Sequence, residues 1–168
     1  MTFDELKQKF PEATPKTWHQ HPNGGGWVEN TATVVGSAYI APDAHVYDKA
    51  RVYGNVQIHG NARVYGNALV YGNALVYGNA RVSGGAWEPS PVYIQGSRYE
   101  IYNSKPDYSE LTSGCITRPL EWWDENIIRC AEEYGYTEDQ QKEYREYINL
   151  FLKLRELIAH KKASVTND

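Results

Sequence analysis

Between Val28 and Trp87 a branched aliphatic residue returns at every sixth position with no insertion or deletion. The stretch reads as ten hexads, VENTAT, VVGSAY, IAPDAH, VYDKAR, VYGNVQ, IHGNAR, VYGNAL, VYGNAL, VYGNAR and VSGGAW. The first position is always Val or Ile, the fifth is Ala in nine hexads and Val in one, and Gly-Asn recurs at the third and fourth. One large apolar residue in six does not make a helix stripe. It fits short strands whose β-branched residue points inward and stacks on its equivalents, with its two neighbours pointing out. Gly-Asn then takes a corner, where φ can turn positive at low cost. Ile94 returns in phase after Glu88–Tyr93 and predicts one further partial coil.

The flanks follow other patterns. Residues 2–10 predict a short amphipathic helix with Phe3, Leu6 and Phe10 on one side, stopped by Pro11 and Pro15. A Gly-rich lead-in follows, and this N-terminal segment is expected to cover the raw strand edge of the first coil. After Trp87 the segment EPSP breaks the repeat. Residues 92–102 read as strand, and 103–119 read as loop with a short strand near Cys115–Thr117. An amphipathic helix ends at Gly135, and Thr137 with Gln140 forms a capping box for a second helix over 138–161. The predicted organisation is a capping segment (1–27), the repeat (28–97), a strand/loop connector (98–119), a helical hairpin (120–162) and a disordered tail (163–168).

The hexads resemble those of the hexapeptide-repeat superfamily, an aliphatic residue followed by small or polar residues and then a small one. The resemblance covers about seventy residues. It implies a mainly β chain: a left-handed parallel β-helix of about 3.5–4 coils, three hexads to a triangular coil, here with a short N-terminal helix and a C-terminal helical hairpin. It also implies a homotrimer with parallel helix axes. The lead-in TWHQHPNGGGWVENTATV, the GNA-rich coils and the GC-then-W C-terminal region resemble uncharacterised phage and prophage hexapeptide-repeat proteins. That second likeness implies a protein of the host bacterial cytoplasm that acts on a host system as a sponge or inhibitor.

With 18 residues to a coil, the outward columns can be written down. One face carries Trp27, His45, Arg63 and Arg81 beside Glu29, Tyr47, Tyr65 and Ser83. A second carries Thr33, Arg51, Leu69 and Trp87 beside Val35, Tyr53 and Tyr71. A third carries Tyr39, Gln57, Leu75 and Tyr93 beside Ala41, His59, Tyr77 and Gln95. The second face is the most apolar, so Val35, Arg51, Tyr53, Leu69, Tyr71 and Trp87 are the expected oligomer interface. The alternative is that the helical hairpin folds back on that face within one chain.

Composition sharpens the functional reading. The chain has 14 Tyr against 3 Phe and 1 Met, an excess that favours half-buried rings with wet hydroxyls, as at interfaces. The net charge of −4 falls wholly in residues 98–168, which carry 10 basic and 14 acidic side chains. No basic stretch marks a broad nucleic-acid footprint, and no apolar run is long enough to span a bilayer. Cys115 and Cys130 have no metal-ligand spacing and read as reduced thiols in a cytoplasm. The N-terminus has acids where a secretory signal would have a basic and then an apolar run.

The best ligand candidate is the first face: His45, Tyr47, Arg63, Tyr65 and Arg81. Guanidinium groups beside aromatic faces suit a phosphate plus a planar group. The alternative is arginines lying over neighbouring tyrosines with no ligand. A second candidate is His19, His21, Gly25 and Trp27, where bared glycine amides could nest an anion or simply make a turn. The resulting expectation is a non-catalytic oligomeric binding protein for a small anionic or nucleotide-like ligand or a host protein, with no cofactor and no metal. The alternative is a hexapeptide-type acyltransferase with an intersubunit site and His45 or His59 as base. Against that stand the uninterrupted repeat and the lack of a carboxylate placed to orient either histidine.

Overall fold

The computed structural model describes residues 1–87 and 90–165. Two compact units divide the chain, Met1–Pro91 and Val92–Asp168.

In the first unit, α1 (Phe3–Lys9) starts at a capping box in which Thr2 and Glu5 satisfy each other's backbone amides. Strands β1 (Trp18–Gln20) and β2 (Trp27–Glu29) follow, and then nine strands of two or three residues: β3 (Thr33–Val34), β4 (Tyr39–Ile40), β5 (His45–Val46), β6 (Arg51–Val52), β7 (Gln57–Ile58), β8 (Arg63–Tyr65), β9 (Leu69–Val70), β10 (Leu75–Val76) and β11 (Arg81–Ser83). The last is β12 (Ala86–Trp87). Every third strand pairs in parallel, giving the stacks β2-β5-β8-β11, β3-β6-β9-β12 and β4-β7-β10. The molecule is thus a β-solenoid of about three turns.

Registers follow the hexads. Val28, Val46, Val64 and Val82 lie over one another, as do Val34, Val52 and Val70 and Ile40, Ile58 and Val76. Every member from Ile40 onward is fully buried. Ala38, Ala44, Ala50, Ala62, Ala68 and Ala80 are also fully buried, because only a small side chain fits where the corner closes on the core. Gly54 needs its type for two reasons: φ is +81°, and an added Cβ would lie 2.7 Å from the Gly72 carbonyl of the next coil.

The repeat stops one residue early. The regular ladder has Arg51 donating to Ala68 O, but Leu69 donates to Gly85 O rather than to residue 86. Gly84 and Gly85 both take positive φ and shorten the corner. Trp87 therefore pairs with Val70 in the inward column and is 1% exposed. It closes the end of the core, with its indole N–H on Gly84 O at 2.9 Å, and is not the outward interface residue that the spacing implied. The further coil through Ile94 is absent as well. The solenoid ends at Trp87, and Glu88 and Pro89 of the EPSP break lie outside the described residues.

The second unit is an antiparallel meander, β13 (Tyr93–Gln95), β14 (Glu100–Asn103), β15 (Glu110–Ser113) and β16 (Ile116–Pro119), followed by α2 (Leu120–Glu133) and α3 (Glu138–Val165). Ile94 pairs with Ile101 and Tyr93 with Tyr102, so both leave the solenoid columns. Residues 103–119, read from sequence as mostly loop, supply two of the four strands. Ile101, Leu111, Trp123, Ile127, Ile148 and Phe151 form a core between this sheet and the two helices. The Thr137–Gln140 capping box is present. Helix α3 takes in 163–165 of the expected tail, and residues 166–168 lie outside the described residues.

Candidate functional site

The first solenoid face carries the column that alternation predicts: Trp27 over His45 over Arg63 over Arg81. Its lower half, however, is roofed. Strand β1 pairs antiparallel with β2 and covers the free edge. Helix α1 and its flanks lay Leu6, Ala13 and Trp18 on Trp27, with Phe3, Phe10 and Tyr47 around them. Phe10 is the hub, its ring centroid 4.8 Å from Trp18, 5.2 Å from His45 and 5.0 Å from Tyr47.

His45 is consequently 0% exposed, and neither ring nitrogen has a hydrogen-bond partner. Burial, reinforced by Lys9 and Arg63, holds its imidazole down at about 4, with Asp43 opposing and the N-terminal amine adding slightly. It reaches neither ligand nor substrate, which corrects its place in the candidate set and as a fallback base. His59, the other fallback base, lies on the third face with its ring 5.0 Å from Tyr39 and Nε2 3.1 Å from Gln57 Oε1. Among the described residues no carboxylate is bonded to it.

The upper half of the column stays open. Tyr47 and Tyr65 stack at 5.2 Å with planes 8° apart. Burial raises the Tyr47 hydroxyl above its ordinary pKa, against the lowering effect of the Arg63 guanidinium. Arg63 is half-buried, with Cζ 5.8 Å from the Phe10 ring centroid, and Arg81 beside it is exposed. Among the described residues neither arginine forms an ion pair. The acids on the same side are engaged by backbone: Glu29 accepts from Asp48 N at 2.6 Å, and Asp48 accepts from Gly66 N at 3.1 Å. Two in-register cations thus sit beside a tyrosine stack, and among the described residues neither has a carboxylate in direct ion-pair contact.

The Gly-rich candidate does not assemble. His19 points outward and bonds Asn30 Oδ1 at 2.7 Å, whereas His21 is buried with Nδ1 against the Asn23 backbone. The amides of Gly25 and Gly26 are used by His21 O and Ile40 O. Trp27 is in the α1 contact, with its indole N–H on Met1 O at 3.2 Å. Gly24 and Gly26 are required because the chain crosses close to the first coil, a Cβ on Gly24 lying 2.2 Å from Ile40 O and one on Gly26 2.4 Å from Ala41 O, whereas Gly25 meets nothing and serves by its positive φ of +77°.

On the second face Arg51 and Tyr53 are exposed, and Val35, Leu69 and Tyr71 are partly exposed. Among the described residues no cluster of His, Cys, Asp or Glu is placed to hold a metal, and no helix is long and apolar enough to cross a membrane. The sequence reading missed Phe10 as the lid on His45. It also missed the concavity that β15, β16 and α2 form around Cys115 and Cys130, since the spacing marks only a short strand near Cys115–Thr117 and not the β15–β16 pair.

A family model described as the YdcK beta solenoid repeat matches residues 62–77 and 74–88. No curated protein and no solved structure matches the chain.

Proposed function

We propose that the chain is a non-catalytic binding protein whose solenoid offers a tyrosine–arginine strip to a small planar anion of the nucleotide type. The observation that carries this reading is the in-register pair Arg63 and Arg81, without a carboxylate partner among the described residues, beside the parallel Tyr47–Tyr65 stack. Like charges set side by side on neighbouring strands repel, and a shared anion relieves that repulsion while a planar group extends the ring stack. The site consists of Arg63, Arg81, Tyr65 and the exposed part of Tyr47. His45 serves beneath it as packing.

In this reading the solenoid is left-handed and the protein a homotrimer joined through the second face, where Arg51, Tyr53, Leu69 and Tyr71 remain accessible. The setting is a phage-encoded protein in a bacterial cytoplasm, acting as a sponge or an inhibitor. The acyltransferase alternative would have to use His59, since His45 is sealed under Phe10.

The test is isothermal titration with a panel of mononucleotides, for the native chain and for Arg63→Ala/Arg81→Ala. Losing charge-assisted bonds of about 1.5–3 kcal/mol each should weaken binding at least tenfold, with melting nearly unchanged. Equal affinity of native and variant protein, or no affinity of the native protein for any anion in the panel, rejects the site. Native mass spectrometry after incubation in bacterial extract separates a retained small molecule from a host protein and reads the trimer directly.

A further inference from the structure

The second unit contains a cavity of about 280 Å³ that owes nothing to the solenoid face. Its walls come from the β15–β16 turn, from α2 and from the start of α3, and they include Cys115, Ile116, Trp123, Ile127, Ala131 and Tyr144. No Lys or Arg lines it, and Glu100 is the one carboxylate residue among those that do. An anion has no counter-charge there.

Two of the aromatic walls, Tyr144 and Trp123, have spent their polar tips on the protein itself. The Tyr144 hydroxyl donates to Tyr99 O at 2.6 Å and accepts from the amides of Tyr99 at 2.6 Å and Arg98 at 3.2 Å. The Trp123 indole N–H donates to Leu111 O at 3.1 Å. The Tyr136 ring packs edge-on to Tyr144 at 5.1 Å and is held from its face by the Arg98 guanidinium at 4.7 Å. The lining is therefore chiefly ring and aliphatic surface, fixed by bonds that collapse of the cavity would break. Cys130 adds a thiol kept neutral, its pKa raised by burial and by Glu133.

We infer that this cavity is a binding site for a small, uncharged, planar aromatic molecule of about two fused rings. Size sets the ring count: a dry apolar cavity of about 150 Å³ holds one benzene ring, and this one has nearly twice that volume. Chemistry sets the charge, because the lining is chiefly apolar and includes Glu100 but no Lys or Arg, so an anion meets repulsion and no counter-charge among the lining residues. The site is independent of the Arg63–Arg81 strip, so either can fail alone.

Indole is a suitable neutral probe and indole-3-acetate its anionic counterpart. Cys115 is exposed in the β15–β16 turn at the cavity, so its alkylation by a maleimide reports occupancy in the unmodified chain. Millimolar indole should slow Cys115 alkylation at least fivefold, and indole-3-acetate should leave it unchanged. Ala131→Phe, which places a ring in the cavity, should abolish the indole effect. If that variant loses its helical circular dichroism, the native-chain experiment decides alone. Alkylation unaffected by indole, equal protection by the anion, or full protection in a folded Ala131→Phe chain overturns the inference.

Discussion

His45 is the residue where alternation and environment part company. Strand alternation puts it on the outer surface of the solenoid, and the register with Arg63 agrees. What hides it is Phe10, which no local pattern places there. Burial lowers its pKa from an ordinary 6.5 to about 4, so the unfolded chain takes up this proton at higher pH than the folded one. The stability that the neutral ring permits is whole above about 6.5 and is lost as pH falls toward 4, by about 3 kcal/mol. Denaturant melts between pH 7 and 4 should show this loss. His45→Leu should flatten the profile and, by removing two unsatisfied ring nitrogens, should leave stability at pH 7 equal or higher. A slope unchanged in His45→Leu would assign the pH dependence to other groups. Phe10→Ala should cost about 2–3 kcal/mol at pH 7 and reopen His45, seen as a return of its NMR titration toward 6.5.

At the scale of elements, the hexad period gave every solenoid strand from β2 to β11 and the inward identity of each Val and Ile. It did so because each coil repeats the same corner chemistry. It failed at Gly84-Gly85, where two adjacent left-handed glycines drop a residue from the corner and turn Trp87 from outward to inward. Trp87→Ala should therefore behave as a core truncation, losing about 3–5 kcal/mol in urea melts. The corners themselves can be compared. Both Gly54 and Gly66 take positive φ, but a Cβ at Gly54 would also lie 2.7 Å from Gly72 O, whereas one at Gly66 meets nothing within 4 Å. Gly54→Ala should be the more destabilising of the two by the cost of that steric overlap, about 1–3 kcal/mol, in paired urea melts. The meander was hard to read from sequence because its strands are only three or four residues long and, unlike the solenoid strands, do not repeat at a fixed period. Asn103, Ser104, Thr112 and Ser113 look like loop residues, yet all four are buried. The two helices, with a long amphipathic stripe and a capping box, were plain.

The whole molecule joins two units with separate cores, one a stack of aliphatic columns and the other a sheet under two helices. The composition foreshadows this only faintly: tyrosine is abundant in both, as a ladder on the solenoid and as a hydrogen-bonded wall in the second unit. Of the ligand column the sequence showed the residues and their order, but not that its lower half is covered. Of the cavity it showed nothing, because the pairing that brings 99–100, the 113–116 turn and the two helices together has no fixed spacing in the sequence. Everything on the solenoid surface depends on the inward stack, since shifting one residue would carry Arg63 and Arg81 to other faces. Methyl–methyl NOEs in a valine-labelled sample test that stack most directly. Val28–Val46, Val46–Val64 and Val64–Val82 cross-peaks, each between residues 18 apart, are what the account predicts; a set linking these valines at another spacing would contradict it.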